Sequence, residues 1–340
     1  MLLKNSRTNS NVVSEWTKVN HGVPRGSVLG PLLFLLYIND LPMAVPTKKI
    51  PILFADDTSI VITSPNTCEL QKEISASLHQ LTKWFQENSL SLKVSKTYFL
   101  QFHNKNPNNT DAPIILDSKF VTKANHIKFL GLTINDSLTW KTHIDVILPK
   151  LSSAWFALRS VKPYVSQQTL KAIYYAYFHA IMSYGVIFWG QSPDSSKVFL
   201  LQKRVIRTMM GCGRRDSCRR LFAELGILTL SSQYIFSLLL FVVKNRKLFS
   251  LNKDLHSINT RQQSNFHLPS AHQKEYQLGP YYMGIKLFNT LPATSKNESH
   301  NPVRFRSLLK KFLLETTLYC WMSSTVFANL GNPKSIPVQE

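Results

Sequence analysis

Two aspartates stand side by side, Asp56 and Asp57, between the apolar run Ile50-Pro51-Ile52-Leu53-Phe54 and the β-branched run Thr58-Ser59-Ile60-Val61-Ile62-Thr63. Both runs have the length and composition of strands, which places the acidic pair at the tip of a strand–turn–strand unit. Adjacent carboxylates repel, and buried strands on either side leave little water to screen them. Two arrangements relieve the repulsion. One is a turn whose side chains stay solvated. The other is a divalent cation such as Mg²⁺, which takes hard oxygen ligands and is held by one or two carboxylates plus substrate phosphates.

The neighbouring segments frame this tip. A short strand is expected at 16–19, followed by the turn sequence His21-Gly22-Val23-Pro24-Arg25-Gly26-Ser27. Its glycines leave backbone N–H groups open to a nucleotide or a template base. The apolar run 28–37 is broken only by Gly30-Pro31, so a helix is expected to start near 26–31 and end near Asp40, before Pro42. Leu70, Ile74, Leu78, Leu81 and Phe85 recur three and four apart and predict an amphipathic helix over 67–87. Residues 90–97 close a helix–turn–strand unit that can aim Lys96 at a phosphate.

Short strands are predicted at 97–102, 113–116, 119–122 and 127–134, with a turn at Asp117-Ser118 and a loop over 104–111. After Asn135 the pattern becomes helical, over 140–160, 166–184, 195–210, 220–226, 231–249 and 303–318. Pro149 is expected to bend or split the first of these. Residues 250–274 are polar and loop-like.

A hydrophobic content of 44% belongs to a chain with a core rather than a disordered one, and 340 residues suffice for two domains. Lys and Arg number 40 against 19 acids, a net charge of +21. Such an excess asks for a polyanion, nucleic acid first and an anionic membrane second. Residues 1–134 carry +5 of it and residues 135–340 carry +16. Lys203, Arg204, Arg207, Arg214, Arg215, Arg219 and Arg220 fall within 18 residues, and phosphate contact is the expectation for them. Tyr174, Tyr177, Trp155 and Trp189 either fill the core or offer stacking surface.

Cys68, Cys212, Cys218 and Cys320 are too few and too scattered for a disulfide framework, which points to a reducing compartment. Cys212 and Cys218, with His256 as the nearest later ligand, are expected to be ordinary thiols rather than a zinc site. The first twenty residues lack the apolar segment of a signal peptide. Residues 172–193 carry no Lys, Arg, Asp or Glu and read as a buried aromatic helix in preference to a membrane span.

GVPRGSVLGPLLFLLYINDLP at 22–42, LFADDTSIV at 53–61, SLSLKVSKT at 89–97, IKFLGLTI at 127–134 and LTWKTHI at 138–144 resemble, in order and spacing, the reverse transcriptases of non-LTR retrotransposons. YFHAIMSYGVIFWG at 177–190, LQKRVIRTMMG at 201–211, Asn259-Thr260-Arg261 and GIKLFNTLP at 284–292 resemble the region that follows the polymerase in such elements. The likeness covers about residues 16–318.

The resemblance implies an RNA-directed DNA polymerase that needs Mg²⁺, with an RNA template, a DNA primer and a deoxynucleoside triphosphate as partners. It implies an α+β fold with a partial palm over 1–135, a basic thumb-like helical region over 136–250 and a C-terminal region over 251–340. An intracellular location, nucleus or cytoplasm, goes with it. Asp56 would be the firmer metal ligand and Asp57 its catalytic neighbour. Gly26 and Ser27 would contact nucleotide and template, Lys96 would act near the leaving pyrophosphate, and Phe129-Leu130-Gly131 would grip the primer.

Two departures stand out. The family carries a third carboxylate on a strand upstream of the glycine-rich turn, whereas Glu15 is the single acid before Gly22. Arg25 stands where the family has glutamine. A weak or inactive polymerase is therefore expected of the chain alone, and a basic nucleic-acid-binding protein without catalysis is the other reading.

Overall fold

The computed structural model describes residues 2–4, 11–13, 26–45, 49–102, 114–116, 119–255, 263 and 265–316. Glu15, the strand expected at 16–19, the turn residues 21–25, the loop 104–111, Asp117-Ser118, His256, Asn259-Thr260-Arg261 and Cys320 lie outside them. The fold is mixed, mostly helical with small two-stranded sheets, as expected of an α+β chain. It divides into two compact units, Met1–Phe99 with Asn104–Lys123, and Leu100–His103 with Ala124–Glu340.

In the first unit, β1 (Leu2–Lys4) pairs antiparallel with β2 (Asn11–Val13). Helix α1 (Leu29–Tyr37) stops before Pro42, which opens a short 3₁₀ turn at Leu41–Ala44. Strands β3 (Ile50–Phe54) and β4 (Asp57–Val61) form an antiparallel hairpin in which Phe54 faces Asp57. Helix α2 (Thr67–Glu87) runs for 21 residues. The Asn66 side chain accepts from the Glu69 N–H at 2.8 Å, and Glu69 supplies an acid where the helix dipole favours one. Its apolar stripe delivers Leu81 and Trp84 to a small core with Ile38, Leu41 and Val45, against which Leu53, Ile60 and Phe85 pack. Lys49, almost fully buried, pairs with the Glu73 carboxylate at 2.8 Å and donates to the Glu73 carbonyl at 2.9 Å. Tyr37 donates to the Asn88 carbonyl and so ties the end of α1 to the end of α2.

Two expectations need correction here. Strand β3 is not buried: Ile50 is 62% exposed and Phe54 61%. The described hairpin has only its own two strands, so one face meets the core while the ends stay open. The strands predicted at 97–102, 113–116 and 119–122 shrink to pairs of residues. These are β5 (Tyr98–Phe99), β6 (Ile115–Leu116), β7 (Lys119–Phe120) and β8 (Thr122–Lys123). β5 runs parallel to β8, and β6 pairs antiparallel with β7.

The second unit opens with β9 (His126–Phe129) and β10 (Leu132–Asn135), a hairpin where the apolar pattern predicts one strand over 127–134. The chain reverses because Leu130 and Gly131 take positive φ, 45° and 83°, the geometry of a two-residue hairpin turn. Helix α3 (Lys141–Val161) then passes through Pro149 without splitting. The proline sits on the exposed side. Ile144, Ile147, Leu151, Ala154 and Leu158 are packed on both sides of it, and this burial outweighs one lost hydrogen bond.

Residues 166–184 form α4 (Gln167–Ile173), a π-helical turn over Tyr174–His179 and α5 (Ala180–Ser183). Gly185, at φ 59°, turns the chain into α6 (Val186–Trp189). Tyr174, Phe178, Met182, Val186 and Trp189 are buried, whereas Tyr177, Tyr184 and Phe188 are exposed, so one face of this aromatic stretch is core. Among the described residues no single helix is long and apolar enough to cross a membrane.

Helices α7 (Ser195–Met210), α8 (Arg219–Leu225) and α9 (Leu230–Lys244) complete the expected series, with a 3₁₀ turn at Arg246–Leu248 where a longer helix is predicted. Helix α9 is buried along most of its length. After α10 (Asn252–Leu255) and α11 (Lys274–Gln277) comes a helix the periodicity does not announce, α12 (Pro280–Asn289), entered through Gly279-Pro280. A short α13 (Ala293–Asn297) leads to α14 (Pro302–Thr316). Met283, Ile285, Leu287, Phe288, Phe305, Leu309 and Leu313 join the same core cluster as α3, α7 and α9. At its centre the Gln202 amide donates to the Tyr174 hydroxyl at 3.0 Å and the Leu228 carbonyl at 2.9 Å, and accepts from the Leu230 N–H at 2.9 Å.

Candidate functional site

The β3–β4 register leaves a two-residue loop, Ala55-Asp56. Ala55 adopts φ 52°, a left-handed conformation that costs a non-glycine residue about 1–2 kcal/mol. Strain of this kind concentrates where a tip must hold a set shape. Asp56 lies in the loop and Asp57 begins β4. Both are exposed, and neither side chain makes a hydrogen bond or ion pair among the described residues. Their oxygens are thus available as ligands. Hard carboxylate donors of this type suit a divalent cation. Among the described residues no group of three or more His, Cys, Asp or Glu could hold a metal.

Gly26, Ser27 and Lys96 lie in the same unit. Gly26 takes φ 83°, and a side chain there would meet nothing within 4 Å, which leaves the backbone open to close approach. The Ser27 hydroxyl accepts from the Gly30 N–H at 3.1 Å and so caps the entry to α1. Lys96 ends the 3₁₀ turn Val94–Lys96, held by its N–H to the Lys93 carbonyl at 2.8 Å, with its side chain exposed. No hydrogen bond or ion pair joins any of these three to Asp56 or Asp57.

Sequence reasoning missed a groove beside Lys96. Leu92, Lys93, Val94, Ser95, Lys119, Phe120 and Thr122 line an open space of about 380 Å³. It missed a clasp in the second unit as well. The Tyr184 hydroxyl donates to the Leu130 carbonyl, and Trp189 Nε1 donates to the Tyr184 carbonyl at 3.0 Å. His143 accepts the Thr133 N–H through Nδ1 at 3.2 Å, anchoring β10 to α3. Burial, then Lys150, pushes the His143 pKa below its ordinary value. The tip Phe129-Leu130-Gly131 therefore belongs to a hairpin fixed at two points.

On α7, Val198, Leu201, Val205 and Met209 are buried, and Arg204 faces solvent. Lys203 sits 4.8 Å from the centre of the Phe199 ring. Arg219 and Arg220 open α8, where the helix dipole disfavours cations. The buried Cys218 thiol lies 3.7 Å from the Lys203 carbonyl, and burial pushes its pKa up.

Residues 1–134 match the family described as Reverse transcriptase (RNA-dependent DNA polymerase). The chain is similar to the "Probable RNA-directed DNA polymerase from transposon BS" of Drosophila melanogaster, 29% identical over 62% of this chain and 25% of that protein. It is similar to the "Probable RNA-directed DNA polymerase from transposon X-element" of the same organism, 27% identical over 59% of this chain and 23% of that protein. It is also similar to the "RNA-directed DNA polymerase from mobile element jockey" of Drosophila melanogaster, 23% identical over 56% and 22% respectively. The chain spans about a quarter of the length of the curated relatives it matches. No solved structure matches it. The segment that carries the acidic hairpin, residues 1–134, thus matches the reverse transcriptase family, and the chain is similar to RNA-directed DNA polymerases of transposons and a mobile element.

Proposed function

We propose that the chain is part of an RNA-directed DNA polymerase that extends a DNA primer on an RNA template. The observation that carries the reading is the pair Asp56 and Asp57, exposed and without competing partners at a strained hairpin tip inside the matched segment. Residues 1–135 would then be a partial palm, 136–250 a thumb-like body and 251–340 its C-terminal continuation. The sparse, free cysteines fit a reducing interior, nucleus or cytoplasm.

In this reading Asp56 and Asp57 give ligand oxygens, with Asp56 as the firmer ligand. The open backbone at Gly26 and the capped turn at Ser27 let nucleotide and template approach closely. Lys96 offsets charge gathering on the leaving pyrophosphate. Asp56 and Asp57 would hold Mg²⁺, which would supply charge to lower the pKa of the primer 3′-hydroxyl and to neutralise the leaving group. Holding two such ions would take more negative charge than two carboxylates supply. No third acid joins these two among the described residues, so synthesis by this chain alone should be weak.

Primer extension on an RNA template with deoxynucleotides and Mg²⁺ tests both statements. Low incorporation that disappears in Asp56→Ala is expected. Incorporation unchanged by Asp56→Ala would overturn the site, and vigorous Asp56-dependent synthesis would overturn its incompleteness.

A further inference from the structure

The geometry points to a second nucleic-acid contact, remote in sequence from the acidic hairpin: an arginine-bearing turn after α7 that grips the phosphate backbone of the template–primer. Helix α7 ends at Gly211, whose φ of 74° reverses the chain. The Asp216 N–H donates to the Gly213 carbonyl at 3.3 Å, closing the turn Gly213-Arg214-Arg215-Asp216. The Gly213 N–H donates to the Asp216 carboxylate at 2.7 Å, and Arg207 Nε donates to the Asp216 carbonyl at 2.8 Å. Three hydrogen bonds therefore lock this turn to itself and to α7.

Arg214 and Arg215 project from the two central positions of the turn, both exposed. Arg204 and Arg220 present further exposed guanidinium groups. Lys203, Arg204, Arg207, Arg214, Arg215 and Arg220 make no ion pair among the described residues. The carboxylate built into the turn is already engaged by Gly213. These cations outnumber the one carboxylate of the turn and stand on an ordered backbone, so they are prepared for an anion with little loop order lost on binding.

Two features choose phosphodiester backbone over a lipid surface. Guanidinium forks match phosphate oxygens two at a time. No exposed large apolar side chain lies between residues 203 and 220, whereas membrane-surface segments insert such groups beside their cations. The choice of nucleic acid also rests on the polymerase reading. The contact does not require Asp56, so the two ideas fail separately.

The test measures binding of the full chain to a fluorescein-labelled RNA–DNA hybrid duplex by anisotropy, from about 50 to about 200 mM salt. In Arg214→Glu/Arg215→Glu, affinity should fall at least tenfold, and the log K against log[salt] slope should flatten by about 2, near one unit per phosphate contact. Arg204→Ala/Arg220→Ala should move both quantities in the same direction. Far-UV circular dichroism should be unchanged in each, because these side chains are exposed. Primer extension by Asp56→Ala tests the polymerase reading separately from these binding measurements. Affinity and slope equal to the parent in both double variants would overturn the inference. So would phosphatidylserine vesicles captured through these arginines while hybrid binding stays as in the parent.

Discussion

The hydroxyl of Tyr184 donates to the carbonyl of Leu130 at 2.5 Å across 54 residues of sequence. The same ring lies 3.1 Å from where a side chain on Gly131 would begin. A hairpin tip in left-handed backbone is thereby seated against the bend between α5 and α6. Tyr184→Phe removes one hydrogen bond, worth about 1 kcal/mol. Gly131→Ala adds both a clash and a φ of 83° that alanine resists, about 1–2 kcal/mol or more. Thermal denaturation should show Gly131→Ala losing more than Tyr184→Phe, with roughly 2–4 °C lost per kcal/mol. Equal melting temperatures for both variants and the parent would refute the clasp.

Acid should loosen the second unit through its histidines. Burial, then Lys150, lowers the His143 pKa from its ordinary 6.5, and its Nδ1 must stay unprotonated to accept the Thr133 N–H. Burial also lowers the His179 pKa, with Gln233 opposing and Lys310 assisting. A base with a depressed folded pKa contributes full stability above its unfolded pKa and loses it as pH falls through the folded value. Urea midpoints should therefore decline below about pH 6.5. His143→Gln should have a shallower decline than the parent, and an identical pH profile would count against this assignment.

Gln202 is fully buried and serves three partners with one amide. Gln202→Leu keeps much of the volume but strands the Leu230 N–H, the Leu228 carbonyl and the Tyr174 hydroxyl. Each stranded group costs about 1–3 kcal/mol. The second unit should lose at least about 3 kcal/mol in urea unfolding, and a loss under 1 kcal/mol would show that the network is replaceable.

Ala55→Gly tests the strain at the acidic tip. Glycine accepts φ 52° without the side-chain penalty, so the hairpin should gain up to about 1 kcal/mol, offset in part by glycine's unfolded-state entropy. Slower amide exchange in β3 and β4 is the readout. Faster exchange would mean that Ala55 is relaxed as it stands.

How far these features could be read beforehand depends on their range. Leu70, Ile74, Leu78, Leu81 and Phe85 announce α2 because one helix face repeats every three or four residues. The β3–β4 hairpin is legible from its β-branched flanks, and Asp56-Asp57 from the electrostatic oddity of the pair. Pro149 misleads because packing on both sides of it overrides a local rule. Helix α12 is only ten residues long, with no motif beyond Gly279-Pro280 to mark it. The Tyr184–Leu130 clasp and the groove beside Lys96 join distant residues, and nothing local in either partner names the other.

Leu313, on the last described helix, is completely buried in the cluster that α3, α7 and α9 share. A growing chain therefore cannot close this core until that residue has left the ribosome. From Lys244 to Leu313, at roughly 5–20 residues per second, the apolar faces of those helices wait about 3–14 s without their final cover. Synthesis thus carries an interval of stickiness that the finished molecule no longer shows, and factors that shield nascent chains would act within it.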